Sequence, residues 1–275
     1  MKTIKYIGGL VLVGLLAGFI SCDKIKDGNR LIDQGVVEVK SNRCVLLEDY
    51  TGVRCVNCPE AAEEIKTLQA AYGNKLVVVE MHPKGMVSST LPIDDDPDLR
   101  TEIAQTYATA FQINSLPTGL VNRGGKLNWQ SWSGAIKEVF DDTTSDYVNL
   151  AASVKVSGSS VQVNVNGNFK KDYLENGDIN VIVMLVENNI VTQQEGLNGQ
   201  HFKEYVHNHV LRTVVSDDVW GDKIADATPT EGTDFTKQYT ATVSGEWKVQ
   251  DLAVVVAVVN ASTRSVLQAA YAHIQ

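Results

Sequence analysis

The chain has 275 residues, of which 44% are hydrophobic, and a formal net charge of −9 at pH 7. This length allows two domains once a leader is removed. The acidic balance argues against nucleic acid as a partner, because nucleic-acid binding rewards basic patches.

Residues 1–22 have the pattern of a secretory signal. A basic start with Lys2 and Lys5 is followed by the apolar, Gly-rich segment Ile7–Ile20. The segment ends at Ser21-Cys22, which resembles a bacterial lipoprotein cleavage site. Cys22 would then be the lipidated first residue of the mature protein, held at the membrane by acyl chains.

Residues 23–43 are polar and predict a tether that leads into an edge strand. The central motif of the chain, Cys55-Val-Asn-Cys58, follows the tether and lies between an apolar strand and an amphipathic helix. A helix N-terminus and the neighbouring Arg54 both favour a thiolate. We therefore predict Cys55 as the attacking sulfur and Cys58 as the resolving sulfur of a disulfide-exchange site.

Two other interpretations of this pair stay open, a structural disulfide and half of a zinc site. Zinc would need further ligands, and the chain has no second cysteine pair, so we expect neither a metal nor a cofactor. The remaining cysteine, Cys44, is expected to be a buried small hydrophobe; a third redox cysteine is the alternative.

The next elements continue an α/β pattern. Residues 76–81 (LVVVEM) predict a buried strand, which completes a βαβ unit. Residues 83–97 form an insertion, interpreted as a surface loop rather than a lip over the cysteines. A helix over 99–111, a short strand after Leu116-Pro117-Thr118 with a hairpin partner, and a helix from residue 132 follow.

This order of elements resembles the thioredoxin fold, over residues 44–143. The resemblance implies a cis Pro117 beside the cysteine pair, with Leu116 and Thr118 binding substrate. It also implies that Asp49, six residues before Cys55, assists proton transfer. In the alternative, Asp49 faces solvent and Glu48 points inward.

Two departures from the thioredoxin pattern leave the direction of exchange open. Thioredoxins usually carry an aromatic residue before the first cysteine and Gly-Pro between the pair. This chain has Arg54 and Val56-Asn57 at those positions. Because the intervening residues tune the reduction potential, the site could serve an oxidase or a reductase.

Residues 144–275 change to alternating and continuous apolar runs separated by Gly, Asn and Asp turns. This pattern predicts a β-sandwich. The predicted fold class is therefore an α/β thioredoxin-like domain followed by an all-β, immunoglobulin-like sandwich domain. Within the second region His207 and His209 would share a face of a strand, and we favour hydrogen bonding over metal binding for them.

The whole chain resembles the twenty-eight-kilodalton outer-membrane lipoprotein family of the Bacteroidetes. The resemblance rests on the leader, on Glu-Asp-Tyr-Thr-Gly before the cysteine motif, and on Glu187-Asn-Asn-Ile with the later His-Asn-His-Val-Leu-Arg. It implies a lipid-anchored protein of the outer membrane, on the periplasmic side or the cell surface.

Two functions follow from these observations. The first is thiol-disulfide exchange on exported proteins. The second is an adhesin-like protein that binds an unknown surface ligand and keeps a structural disulfide. In both functions the lipid anchor attaches the protein to the membrane.

Overall fold

The computed structural model describes residues 36–41 and 43–274, with the backbone alone for 36–41. This part of the chain is mostly β. Its α-helices are α1 (Cys58–Tyr72), α2 (Val87–Thr90), α3 (Glu102–Ala110) and α4 (Trp132–Asp141). Its strands are β1 (Val36–Ser41), β2 (Val45–Tyr50), β3 (Leu76–Met81), β4 (Thr118–Val121), β5 (Lys126–Leu127), β6 (Val148–Ser157), β7 (Ser160–Phe169), β8 (Ile179–Glu187), β9 (Ile190–Glu195), β10 (His201–His207), β11 (Val210–Val214), β12 (Asp222–Ala225), β13 (Asp234–Thr242), β14 (Leu252–Asn260) and β15 (Val266–His273).

A nine-stranded sheet organises the molecule, in the order β15-β14-β8-β11-β3-β2-β4-β5, with β12 paired to β8. β2 lies between β3, which is parallel to it, and β4, which is antiparallel. Every residue of β2 and β3 is buried. Continuous apolar runs are typical of strands that are covered on both faces, which explains the composition of these two.

Helices α1 and α4 cover one face of β2 and β3. Their buried residues recur at three- and four-residue steps and pack on the strand residues of that face. A Cβ at position 119 would lie 2.2 Å from Trp132 Nε1, so the absence of a side chain at Gly119 gives the indole ring room to pack on β4. The cluster contains Val45, Leu47, Ala61, Ile65, Leu68, Leu76, Val78, Val121, Trp132 and Ile136.

The other face of β2 and β3 lines a second core, the curled core. The nine-stranded sheet encloses it by curving round until β15 lies beside β2. β15 returns to β2, where the Cys44 N–H donates to Gln268 Oε1 at 2.7 Å and the Val266 N–H donates to the Asn122 carbonyl at 3.0 Å. Side chains from β2, β3, β8, β14, β15 and α3 meet inside, among them Leu46, Val79, Tyr107, Met184, Val255 and Ala269.

A second sheet, β1-β6-β7-β13, packs on β8 and β14 from the remaining side. Alternating residues of β6 and β7 point into the layer between the sheets, as the period of two requires. The opposed strands β8 and β14 are buried on both faces, because one face belongs to this layer and the other to the curled core.

The described residues lie in one compact unit. Strands from both sides of residue 143 share the nine-stranded sheet, so the two predicted regions are joined by β-pairing, with β11 beside β3. The coarse class, mostly β with a few helices, is confirmed; the thioredoxin-like and immunoglobulin-like assignments stay predictions. None of the described helices combines the length and the apolar composition that a membrane crossing needs.

The sequence prediction gives no strands over β9 to β12, apart from one on which His207 and His209 would lie. β9 and β10 form a separate two-stranded sheet. Five of the seven residues of β10 are exposed, and they include both polar and apolar side chains. Such a strand lacks the alternation on which the prediction depends. β11 follows β10 after a turn of two residues and joins the main sheet between β3 and β8.

A buried ion pair lies in the curled core. Arg123 donates to Glu48 from Nε to Oε1 at 3.0 Å and from an Nη atom to Oε1 at 2.7 Å, and both side chains are fully buried. The guanidinium carbon lies 4.6 Å from the centre of the Tyr107 ring. Removal of one partner would leave the other charge buried and uncompensated.

We expect Glu48→Gln to lower the free energy of unfolding by about 3 kcal/mol, measured by urea denaturation. The exposed Glu138→Gln serves as the control and should change it by less than about 0.5 kcal/mol. The double variant Glu48→Leu with Arg123→Met should recover most of the loss. Equal stability of the two single variants would contradict the prediction.

Candidate functional site

The candidate site begins at the cysteine pair. Cys55 and Cys58 form a disulfide, with Cα atoms 5.4 Å apart. Cys58 is the first residue of α1, and Cys55 lies in the turn before it, where its N–H donates to the Gly52 carbonyl at 3.0 Å. The motif therefore lies at the head of the helix, as its spacing predicts.

Both cysteines point into the protein. Cys55 is 6% exposed and Cys58 is 3% exposed, whereas Val56 between them is 40% exposed. The turn thus presents its two intervening residues to solvent and keeps the disulfide below them. A reagent would reach the sulfurs only after a local rearrangement.

The insertion at 83–97 packs against one side of the cysteine turn. The Arg54 N–H donates to the Ser89 carbonyl at 2.9 Å, and its guanidinium donates to the carbonyls of Leu91 at 2.9 Å and Pro92 at 2.7 Å. The same group lies 3.4 Å from Glu195 Oε1. Arg54 is therefore occupied by fixed acceptors, and Glu195 partly offsets its charge near the sulfurs.

The hairpin of β9 and β10 holds the other side of this turn. Gln194 Nε2 donates to the Cys55 carbonyl at 3.1 Å and to the Gly52 carbonyl at 3.3 Å. The Glu195 N–H donates to the Val53 carbonyl at 2.8 Å. These contacts fasten the hairpin to the loop that carries the cysteines.

The proline predicted beside the pair directly precedes β4. The Leu116–Pro117 bond is cis, as the thioredoxin resemblance implies. The next residue, Thr118, pairs with Tyr50 at the end of β2, where the loop to Cys55 begins. Leu116 packs against the curled core, and the buried Thr118 donates its hydroxyl to the Ser115 carbonyl at 2.8 Å.

Asp49 is buried and lies beside Glu80 in the parallel pairing of β2 and β3. It is 1% exposed, so the alternative in which it faces solvent is wrong. It alternates with Glu48, which points into the opposite core toward Arg123. Burial, and then the nearby Glu80, raise the pKa of Asp49 well above its usual value.

Glu80 lies in a group of three buried titratable side chains with His82 and His207. The sequence prediction named His207 but missed Glu80 and His82. Burial raises the pKa of Glu80 to about 8 and lowers the pKa of each imidazole to about 3. His82 Nε2 lies 3.9 Å from Glu80 Oε2. The alternation Glu80-Met-His82 at the end of a buried strand was the available signal.

The predicted common face for His207 and His209 is wrong, because β10 ends at His207. His209 lies in the following turn with φ 58°. Its ring points to α1, with Nε2 3.1 Å from Gln69 Nε2, and burial lowers its pKa to about 4.

Cys44 is buried at the other end of β2. Its Sγ lies 3.7 Å from the Asn74 carbonyl oxygen. Because β2 runs between Cys44 and the cysteine loop and a strand advances about 3.3 Å per residue, the two sites are separated by roughly 17 Å. Cys44 therefore fits the predicted small hydrophobe and not a third redox cysteine.

These features define a class: a β-rich protein with a buried disulfide at the head of a helix, covered by a hairpin and an insertion. A family model described as outer membrane protein Omp28 matches residues 104–275. The chain belongs to the Omp28 family. The match begins within α3 and does not include the cysteine pair.

Two solved structures are similar to the chain. Protein AGR_C_4864 from Agrobacterium tumefaciens is 16% identical, over 84% of this chain and 95% of that chain, with a TM-score of 0.50. A domain of the outer membrane lipoprotein Omp28 from Porphyromonas gingivalis is 18% identical, over 47% of this chain and 88% of that chain, with a TM-score of 0.33. Comparison with curated proteins gives no match.

Family membership confirms the family resemblance and the predicted location in the outer membrane. The similarity to protein AGR_C_4864 shows that the two chains share a fold. Cys22 lies outside the described residues, so its role as the lipidated residue stays a prediction.

Burial, only partly offset by Lys75, raises the pKa of the Cys44 thiol to about 11 from 9.0. At pH 8 we expect iodoacetamide to label Cys44 at least about 100-fold more slowly in native than in denatured protein, because the thiolate reacts. The unfolded thiol ionises first, so the free energy of unfolding should fall as pH rises above about 9.

Mass spectrometry of the labelled peptide and urea denaturation at pH 8 to 10 would check both effects. Cys44→Ala provides the control, since it should lack this part of the pH dependence. Equal labelling rates in native and denatured protein would contradict the assignment.

Gln194→Ala should accelerate reduction of the Cys55–Cys58 disulfide by dithiothreitol about tenfold, because two hydrogen bonds that hold the hairpin on the cysteine loop are lost. The solvent-facing Gln162→Ala on β7 is the matched control and should react like the parent protein. Identical rates for both variants would mean that the hairpin does not limit access.

Proposed function

We propose that this outer-membrane protein performs thiol-disulfide exchange on exported proteins. The observation that carries the proposal is the disulfide at the head of α1, in a loop that starts beside the strand of the cis Pro117. The proposal includes a thioredoxin-like arrangement for residues 44–143, followed by a sandwich over 144–275.

The local topology supports this arrangement. β2, α1, β3, α3, β4, β5 and α4 occur in this order along the chain, with the short α2 between β3 and α3. The strands lie in the order β3-β2-β4-β5, with β3 parallel to β2 and the other two pairs antiparallel. α1 and α4 pack on one face of β2 and β3, while α3 packs on the opposite face.

The proposed chemistry uses both sulfurs. In the reduced protein the Cys55 thiolate attacks a substrate disulfide and displaces one substrate sulfur as a thiolate. Cys58 then attacks the mixed disulfide, releases the second substrate sulfur, and forms the Cys55–Cys58 bond. The substrate gains two electrons and the protein loses two; the reverse sequence oxidises a dithiol substrate.

In this scheme the buried carboxyl of Asp49 accepts a proton from Cys58. It lies on the face of β2 that α1 covers, and among the described residues its Oδ1 has no hydrogen-bond partner. Burying a carboxyl oxygen without a hydrogen-bond partner costs free energy. A buried carboxyl with a strongly perturbed pKa is therefore a candidate for proton transfer.

Access to the sulfurs requires the hairpin to leave the cysteine loop. The Gln194 and Glu195 contacts would break first, since they bind the carbonyls of Gly52, Val53 and Cys55. Substrate would then pair along the backbone next to Pro117. Leu116 and Thr118 would contribute mainly through their backbone, because the Thr118 hydroxyl already has an acceptor.

A binding protein with a structural disulfide is the second candidate, favoured by the burial of both cysteines. A cleft of about 580 Å³ offers a mixed charged and aromatic lining for a ligand, with Asp95, Asp98, Arg100, Arg212, Glu246 and Trp247. Protease treatment of intact cells should release the protein if it serves such a role on the outer face.

The reduction potential of the Cys55–Cys58 couple separates the two candidates. A catalytic pair should have a potential well above about −300 mV, whereas a permanent structural disulfide should lie below it. Equilibration with glutathione and dithiothreitol buffers, followed by thiol trapping, measures the value. Cys44→Ala should leave the potential unchanged.

The catalytic assay is insulin reduction by the full chain. We expect activity that Cys55→Ser abolishes and Cys44→Ala preserves, because exchange starts from the Cys55 thiolate. Asp49→Asn should slow turnover while leaving the disulfide able to form. Activity that survives Cys55→Ser would refute the exchange mechanism.

A further inference from the structure

A cluster of three potential metal ligands joins the hairpin to the main sheet. Glu80 lies near the end of β3, His82 directly follows that strand, and His207 ends β10. One ligand atom from each side chain lies within 4.8 Å of the other two, and all three residues are buried.

Several polar atoms of this cluster have no hydrogen-bond partner within the described ranges. They are both ring nitrogens of His82 and Oε2 of Glu80. An unsatisfied buried polar atom costs about 1–3 kcal/mol, so three in one place need a compensating interaction. Hydrophobic packing does not supply it.

We propose that Glu80, His82 and His207 bind a divalent first-row transition ion, with Zn²⁺ the expected occupant. Imidazole nitrogens and a carboxylate oxygen form a ligand set that suits this class of ion. The sequence analysis predicted no metal, because the only ligands it considered were the cysteines and the pair His207 and His209.

The required movement is small. Ligand atoms bind Zn²⁺ at about 2.0–2.2 Å, which places two such atoms roughly 3.3 Å apart. His82 Nε2 and Glu80 Oε2 are already 3.9 Å apart. The ligand atoms all lie within 4.8 Å of one another, so side-chain shifts of up to about 1.5 Å would close the set. The hydroxyl of Thr192, 2.9 Å from His207 Nε2, helps to orient that ring.

The bound ion would connect β3 to β10 and thereby fasten the hairpin over the cysteine loop. The inference does not depend on disulfide exchange, because the cysteines are joined to each other and are not among the ligands. Metal binding can therefore be measured on the oxidised chain, whatever the outcome of the redox assay.

The test uses the full chain, extracted in detergent, stripped with a chelator and kept oxidised. Calorimetric titration with Zn²⁺ should show one site per chain. His82→Gln, His207→Gln and Glu80→Gln should each weaken binding by at least about 100-fold, because the loss of outer-shell groups alone costs up to that factor.

His209→Asn is the matched control, since His209 is also buried but points to Gln69, and asparagine tolerates its positive φ. This variant should bind Zn²⁺ like the parent protein. Equal binding by all four variants, or an equal loss in His209→Asn and His207→Gln, would overturn the assignment.

A measurement on the unsubstituted chain covers the case in which a variant fails to fold. Co²⁺ should give visible d–d absorption without the ultraviolet charge-transfer band of a cobalt–thiolate bond, as expected for nitrogen and oxygen ligands. Failure to bind Co²⁺ and Zn²⁺, or a thiolate band, would refute the site.

Discussion

The parallel pairing of β2 with β3 determines where the chemistry of this protein can lie. Parallel strands deliver their carboxyl ends to the same edge of the sheet, so the cysteine loop after Tyr50 and the segment after Met81 begin side by side. The Thr51 N–H donates to the Met81 carbonyl at 2.9 Å and fixes this junction. The pairing also places Asp49 next to Glu80 under α1, away from water.

Sequence patterns predict this part of the fold well because its signals are local. The continuous apolar runs of β2 and β3 identify strands covered on both faces, and the three- and four-residue steps after Cys58 identify α1. The Leu116–Pro117 bond is cis, as the resemblance implies. Each of these features depends on neighbours within one element or on the order of elements.

The cover over the cysteines depends on contacts that no local pattern contains. Gln194 bonds to the Cys55 carbonyl across 139 residues of sequence, and the strand that carries it is mostly polar and short. The same limit applies to the histidines. A spacing of two implies a common face only while a strand continues, and the chain turns at His209 with a positive φ.

The attachment of β9 to the cysteine turn makes the disulfide comparable to an amide that exchanges only from an open form. Its observed reaction rate is then the intrinsic rate multiplied by the fraction of molecules in which the hairpin has detached. If detachment costs about 4 kcal/mol, roughly one molecule in a thousand is reactive at any moment. A partner that stabilises the detached hairpin would raise this fraction, so recognition of the partner and unmasking of the sulfurs would be one event.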